Sequence, residues 1–141
     1  MAHEISEFWA STTADTLRIN NEPSEEIKER LKTVYAVCIE PAEIQFQAKA
    51  NIRSGYRCPE LNAAVFGALN SQHVRGEAFD FTIAGVDLRE LFDWLKNYVD
   101  FDQLILEPTW VHVSYNTSGS NRGEILRARR VDGKMKYEKV A

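Results

Sequence analysis

The chain is organised around one stretch, Ser71-Gln72-His73-Val74-Arg75-Gly76-Glu77-Ala78-Phe79-Asp80. It sets an imidazole and a carboxylate seven residues apart, and a second imidazole, His112, follows on a later apolar segment. Two histidines and one carboxylate form a recognised catalytic zinc set, in which three protein ligands leave the fourth tetrahedral position to water. The spacing fits if His73 sits in a loop and Asp80 on the strand that follows. Gly76 then allows a sharp turn, and Ala78 leaves room beside a metal.

The flanking sequence reads as an α+β frame. Phe8, Trp9 and Ala10, set among hydroxyl residues, suggest a short helix or an anchoring segment within residues 1–22, and His3 reads as a solvated terminal residue. Ser24 is an N-cap followed by Glu25 and Glu26, which favour a helix start. Ile27, Leu31, Val34, Tyr35 and Cys38 recur at helical spacing, so that helix buries one face. Residues 48–54 read as a strand, Gly55 as a turn, and Pro59 as the opening of a short helix. After a loop over residues 67–72, residues 78–83 form a central strand carrying Asp80. Asp87 and Glu90 begin a helix that turns Leu88, Leu91, Phe92 and Leu95 to the core.

Residues 103–107 and 110–115 are two strands joined at Pro108-Thr109. Alternation puts Trp110, His112 and Ser114 on one face and Val111, Val113 and Tyr115 on the other. A serine- and glycine-rich loop spans 117–123, and Asp132-Gly133 marks a final hairpin. Arg127, Arg129 and Arg130 read as the solvated face of that hairpin, which protects a sheet edge. Nothing divides residues 1–141, which read as one domain.

Composition narrows the classes. With 17 basic against 21 acidic residues the net charge is −4, so no basic excess points to nucleic acid. No run approaches the roughly 18 apolar residues of a membrane span. The first residues lack a positive region, so synthesis in the cytoplasm without a signal peptide is expected. Cys38 and Cys58 are then expected as free thiols, and a monomer is expected.

Three segments carry a resemblance: Ser71-x-His73-x-x-Gly76-x-Ala78-x-Asp80, Ser54-Gly55-Tyr56-Arg57, and Trp110-Val111-His112. Together they resemble the zinc D-Ala-D-Ala carboxypeptidases and L-alanyl-D-glutamate peptidases, a cell-wall family that includes phage endolysins and is related to the Hedgehog domain. The resemblance implies a central antiparallel sheet flanked by helices, with Zn2+ held by His73, Asp80 and His112. It implies peptidoglycan stem peptides as substrate, and action at the wall after release from the cell. Arg57 matches the family's site-facing arginine and suits either a substrate carboxylate or the developing oxyanion. Ser71 reads as a support for the ligand loop.

The general base departs from the pattern. Several relatives carry an acid three residues before the last histidine, where this chain has Thr109. Glu107 resembles the glutamate that ends this strand in phage-type members and is the expected base, with Glu77 next. Regular alternation from His112 would put Glu107 on the opposite face, so its reach depends on the turn at Pro108. A second reading keeps the fold and the zinc but not turnover, as a binding module.

Overall fold

Short alternating segments build one six-stranded sheet in the computed structural model, which describes residues 2–140. The strands are β1 (Ala50–Ser54), β2 (Ala78–Ile83), β3 (Gln103–Leu106), β4 (Val111–Ser114), β5 (Glu124–Val131) and β6 (Lys134–Lys139), in the order β1-β2-β4-β3-β5-β6. The first four pair antiparallel, as expected, and β6 pairs antiparallel with β5. β5 runs parallel to β3, which makes the sheet mixed.

Asp102, just before β3, accounts for that parallel pair. Its carboxylate accepts from the Arg122 backbone N–H at 2.9 Å and from the Arg122 guanidinium at 2.7 Å. Its carbonyl accepts from Glu124 N–H at 2.9 Å. The loop leaving β4 is thereby returned to the end where β3 starts, and β5 sets out in the same direction. At Asp132 and Gly133 φ is 51° and 75°, the left-handed pair that closes the final hairpin.

One face of the sheet is the core. Phe79, Phe81, Leu104, Val111 and Val113 are fully buried there, in one cluster with Leu91, Phe92 and Leu95 of α5 (Leu88–Tyr98). Asp87 caps α5 by accepting from Glu90 N–H at 3.2 Å. Leu31 and Val34 of α2 (Glu25–Val34) join the same cluster. α2 runs on through a π-turn at Tyr35–Ile39 into α3 (Glu40–Phe46), because Pro41 has no N–H to offer the preceding turn.

The N-terminal segment is tied down more firmly than the sequence suggests. After a 3-10 turn at Ile5–Phe8 comes α1 (Thr12–Leu17). Phe8 is buried in the core, and its carbonyl accepts from Tyr56 N–H at 2.8 Å. His3 is not solvated: its side chain is 2% exposed, with Nε2 2.7 Å from Glu43 and Nδ1 3.1 Å from Glu7. Glu43 is completely buried and also accepts from Tyr35 Oη–H and from Ala50 N–H. A buried carboxylate needs such partners. The histidine that meets it stands 40 residues away in sequence, which no local pattern reveals.

Candidate metal centre

Cross-strand pairing builds the centre on the sheet face opposite the core. Asp80 on β2 pairs with Ser54 on β1 and with His112 on β4, so these side chains share that face. His112 Nδ1 lies 2.8 Å from Asp80 Oδ1. His73 approaches from a 3-10 turn, Gln72–Arg75, rather than from an irregular loop, with Nε2 3.4 Å from Asp80 Oδ2. Ser71 caps that turn by accepting from His73 N–H at 3.2 Å, and Gly76 ends it at φ 73°, in the left-handed region glycine favours. The donor atoms of His73, Asp80 and His112 all lie within 4.8 Å of one another.

The protons are arranged to suit a metal. Gly55 carbonyl O is 2.6 Å from His73 Nδ1. A carbonyl only accepts, so Nδ1 carries the proton and the Nε2 lone pair is left facing Asp80. Burial lowers the His73 pKa and keeps the ring neutral, although Asp80 opposes this. For Asp80 burial works against ionisation, but the two neighbouring imidazoles, His112 by its hydrogen bond, outweigh it and hold the carboxyl well below its ordinary range. A neutral imidazole and an ionised carboxylate are the protonation states that metal binding requires.

Gly55 also ties the site to the N-terminal segment. A Cβ there would lie 2.0 Å from the Phe8 carbonyl oxygen and 3.1 Å from the Phe79 ring. Gly55→Ala is therefore expected to destabilise the protein by about 3 kcal/mol and to loosen His73, which denaturant melts of the two proteins would measure.

Arg57 is half-buried beside the triad. Its Nη2 donates to Ser71 Oγ at 3.3 Å, while its Nε has no partner. Burial lowers its pKa, and only the nearby Asp80 charge works the other way. Ser71 accepts both of its bonds from this loop region, which agrees with a supporting role.

Glu107 opens the turn after β3, within electrostatic reach of Asp80. Glu107 N–H donates to the Trp110 carbonyl at 3.0 Å, folding the chain back before β4. Burial raises the Glu107 pKa and the Asp80 charge adds to it, while a hydrogen bond from Tyr137 pulls it down. Glu77, the next candidate from the sequence, is engaged by other partners. It accepts from Thr117 N–H at 2.8 Å, Thr117 Oγ1 at 2.6 Å and Arg75 Nε at 3.0 Å, which pins the 117–123 loop and holds its pKa down against burial.

Sequence reasoning missed Tyr137. Its hydroxyl lies 3.2 Å and 3.4 Å from the two Glu107 oxygens. Burial and Glu107 push its pKa up to about 12, so it stays a donor at neutral pH. It comes from β6, two strands removed from β3 in the sheet, and no short-range signal marks it.

Open space borders the centre on two sides. One cleft, of about 580 Å³, is lined by Asp80, Arg57, Arg53 and Trp110 together with residues of α1. Another, of about 590 Å³, is lined by His112, Ser71, Gln72, Asp102 and Arg122. Among known families, peptidase M15 matches residues 4–114 of the chain. The chain belongs to the peptidase M15 family. The match ends at Ser114, so the β5–β6 hairpin that carries Tyr137 lies beyond it. No curated protein sequence matches this M15 chain.

M15 peptidases are zinc enzymes, and the donor set fits that metal. Two imidazoles and one ionised carboxylate form an open three-ligand site, and the His73 ring is oriented by a backbone carbonyl. Membership supports a zinc metallopeptidase acting on peptidoglycan-type substrates. Among the described residues no helix is long and apolar enough to cross a membrane.

Proposed function

We propose that this M15 chain is a zinc-dependent peptidase that cuts a bond within peptidoglycan stem peptides. The observation that carries this reading is the convergence of His73, Asp80 and His112 between two clefts, with Arg57 lining one of them and Glu107 within electrostatic reach of Asp80. Space on both sides favours an internal bond such as L-Ala-D-Glu over a terminal D-Ala-D-Ala. Such a substrate lies outside the cytoplasmic membrane, so the enzyme works at the wall after release, as in phage or prophage lysis.

The residues divide the work. His73, Asp80 and His112 hold the metal, Asp80 as the anionic ligand. When bound there, zinc lowers the pKa of a coordinated water towards about 7 and polarises the scissile carbonyl. Glu107 takes a proton from the attacking water and returns it to the leaving amine. Tyr137 donates to Glu107 and fixes its carboxylate. Arg57 offers unused N–H groups, a planar fork suited to a substrate carboxylate or to the developing oxyanion.

Digestion of purified muropeptides, with products identified by mass, tests the reading. Cleavage that a chelator stops supports it. Zinc-loaded protein that binds muropeptides and cuts none would leave a binding module.

Substitutions at two positions probe the supporting roles. Arg57→Lys and Arg57→Ala should both fall at least tenfold in kcat/KM with little change in melting temperature, because lysine cannot reproduce the bidentate fork. Wild-type rates in both would reduce Arg57 to a structural residue. Tyr137→Phe removes a hydrogen bond that favours the Glu107 carboxylate, so the Glu107 pKa should rise. The acid limb of the pH profile should then move up by about one unit. An unmoved limb would separate Tyr137 from the base.

A further inference from the structure

The cleft on the Arg57 side contains a second guanidinium that the mechanism does not use. The β1–β2 register shifts between Ile52 and Ser54, leaving Arg53 as the extra residue of a bulge directly before the Ser54↔Asp80 pair. Bulges next to active sites re-aim a side chain. Here Arg53 is exposed, and its guanidinium carbon stands 4.3 Å from the centre of the Trp110 ring, two residues before His112. Among the described residues Arg53 has no carboxylate partner, whereas Arg30, Arg75, Arg89, Arg122, Arg127 and Arg129 all have one.

Two residues that line the same cleft also hold buried polar atoms without a partner. Three buried side-chain polar atoms in the described residues lack a partner, and two of them, Arg57 Nε and Trp110 Nε1, belong to residues lining it. Of the two acidic residues in the lining, Asp80 is engaged by His73 and His112, and Asp15 forms no ion pair. A guanidinium placed over an indole still has N–H groups to offer, and its planar fork matches a carboxylate.

We propose that Arg53 is a specificity residue that binds a carboxylate of the stem peptide away from the scissile bond, so that the enzyme prefers stems bearing that free acid over their carboxamides. The proposal rests on the stem-peptide reading above. Trp110 is the platform that orients Arg53, and the bulge is the backbone device that aims it.

The test is a cycle between residue and substrate. Synthetic stem peptides in which each carboxylate in turn is converted to a carboxamide are compared by kcat/KM with wild type, Arg53→Gln and Arg53→Lys. For one carboxylate, amidation should cost wild type about tenfold or more. That penalty should vanish in Arg53→Gln and survive in part in Arg53→Lys, which keeps the charge but loses the fork. Arg53→Gln retaining the wild-type penalty for every carboxylate would overturn the proposal while leaving the peptidase reading intact. A zinc-loaded wild type that cleaves no stem peptide would remove the peptidase reading and this proposal with it.

Discussion

Glu107→Gln should keep its zinc and its fold and lose about a hundredfold or more in the rate of muropeptide hydrolysis, as removal of a general base does. The amide has nearly the shape of the carboxylate and can still accept from Tyr137, whose hydroxyl lies 3.2 Å from Glu107 in the parent. What it cannot do is take a proton. Burial and the Asp80 charge already raise the Glu107 pKa, which brings this carboxyl closer to the basicity the step needs. Single-turnover hydrolysis beside metal analysis would separate a chemical defect from lost zinc. A variant within a few-fold of wild type would put the base elsewhere, and Glu77 would not be the natural successor, since Thr117 and Arg75 occupy it.

His112→Ala should have the larger effect on metal. It removes one of three donors and also the hydrogen bond at 2.8 Å that helps keep Asp80 ionised. The expected result is no stoichiometric zinc after gel filtration and no detectable cleavage. The sheet should persist, because the His112 neighbours Val111 and Val113 point into the core on the other face. Full activity without metal would end the zinc account.

The grouping of His73, Asp80 and His112 was legible because most of its parts are local. A glycine turn, a small residue and a carboxylate on one strand are short-range features, and alternation alone put His112 opposite the core-facing Val111 and Val113. The α+β frame was legible for the same reason, since α2, α5 and the first four strands each carry their own apolar period. What failed to show depends on chain segments far apart. The parallel pairing of β3 with β5 is set by Asp102 gripping Arg122 twenty residues on. His3 reads as solvated until Glu43 is folded beneath it. Tyr137 reaches Glu107 only because β6 completes the sheet beyond β5. The role of Gly55 was half visible: the motif marks a turn, but the reason no side chain fits is the backbone of Phe8 lying against it.

X-ray absorption at the zinc edge of the metal-loaded protein tests the central claim most directly. The account predicts one zinc per chain in a shell of nitrogen and oxygen only, with the signature of two imidazoles at about 2.0–2.1 Å, and loss of that shell in His112→Ala. Cys38 and Cys58 are both free, and neither joins the triad. A sulfur at about 2.3 Å, or a shell unchanged by removal of His112, would contradict it.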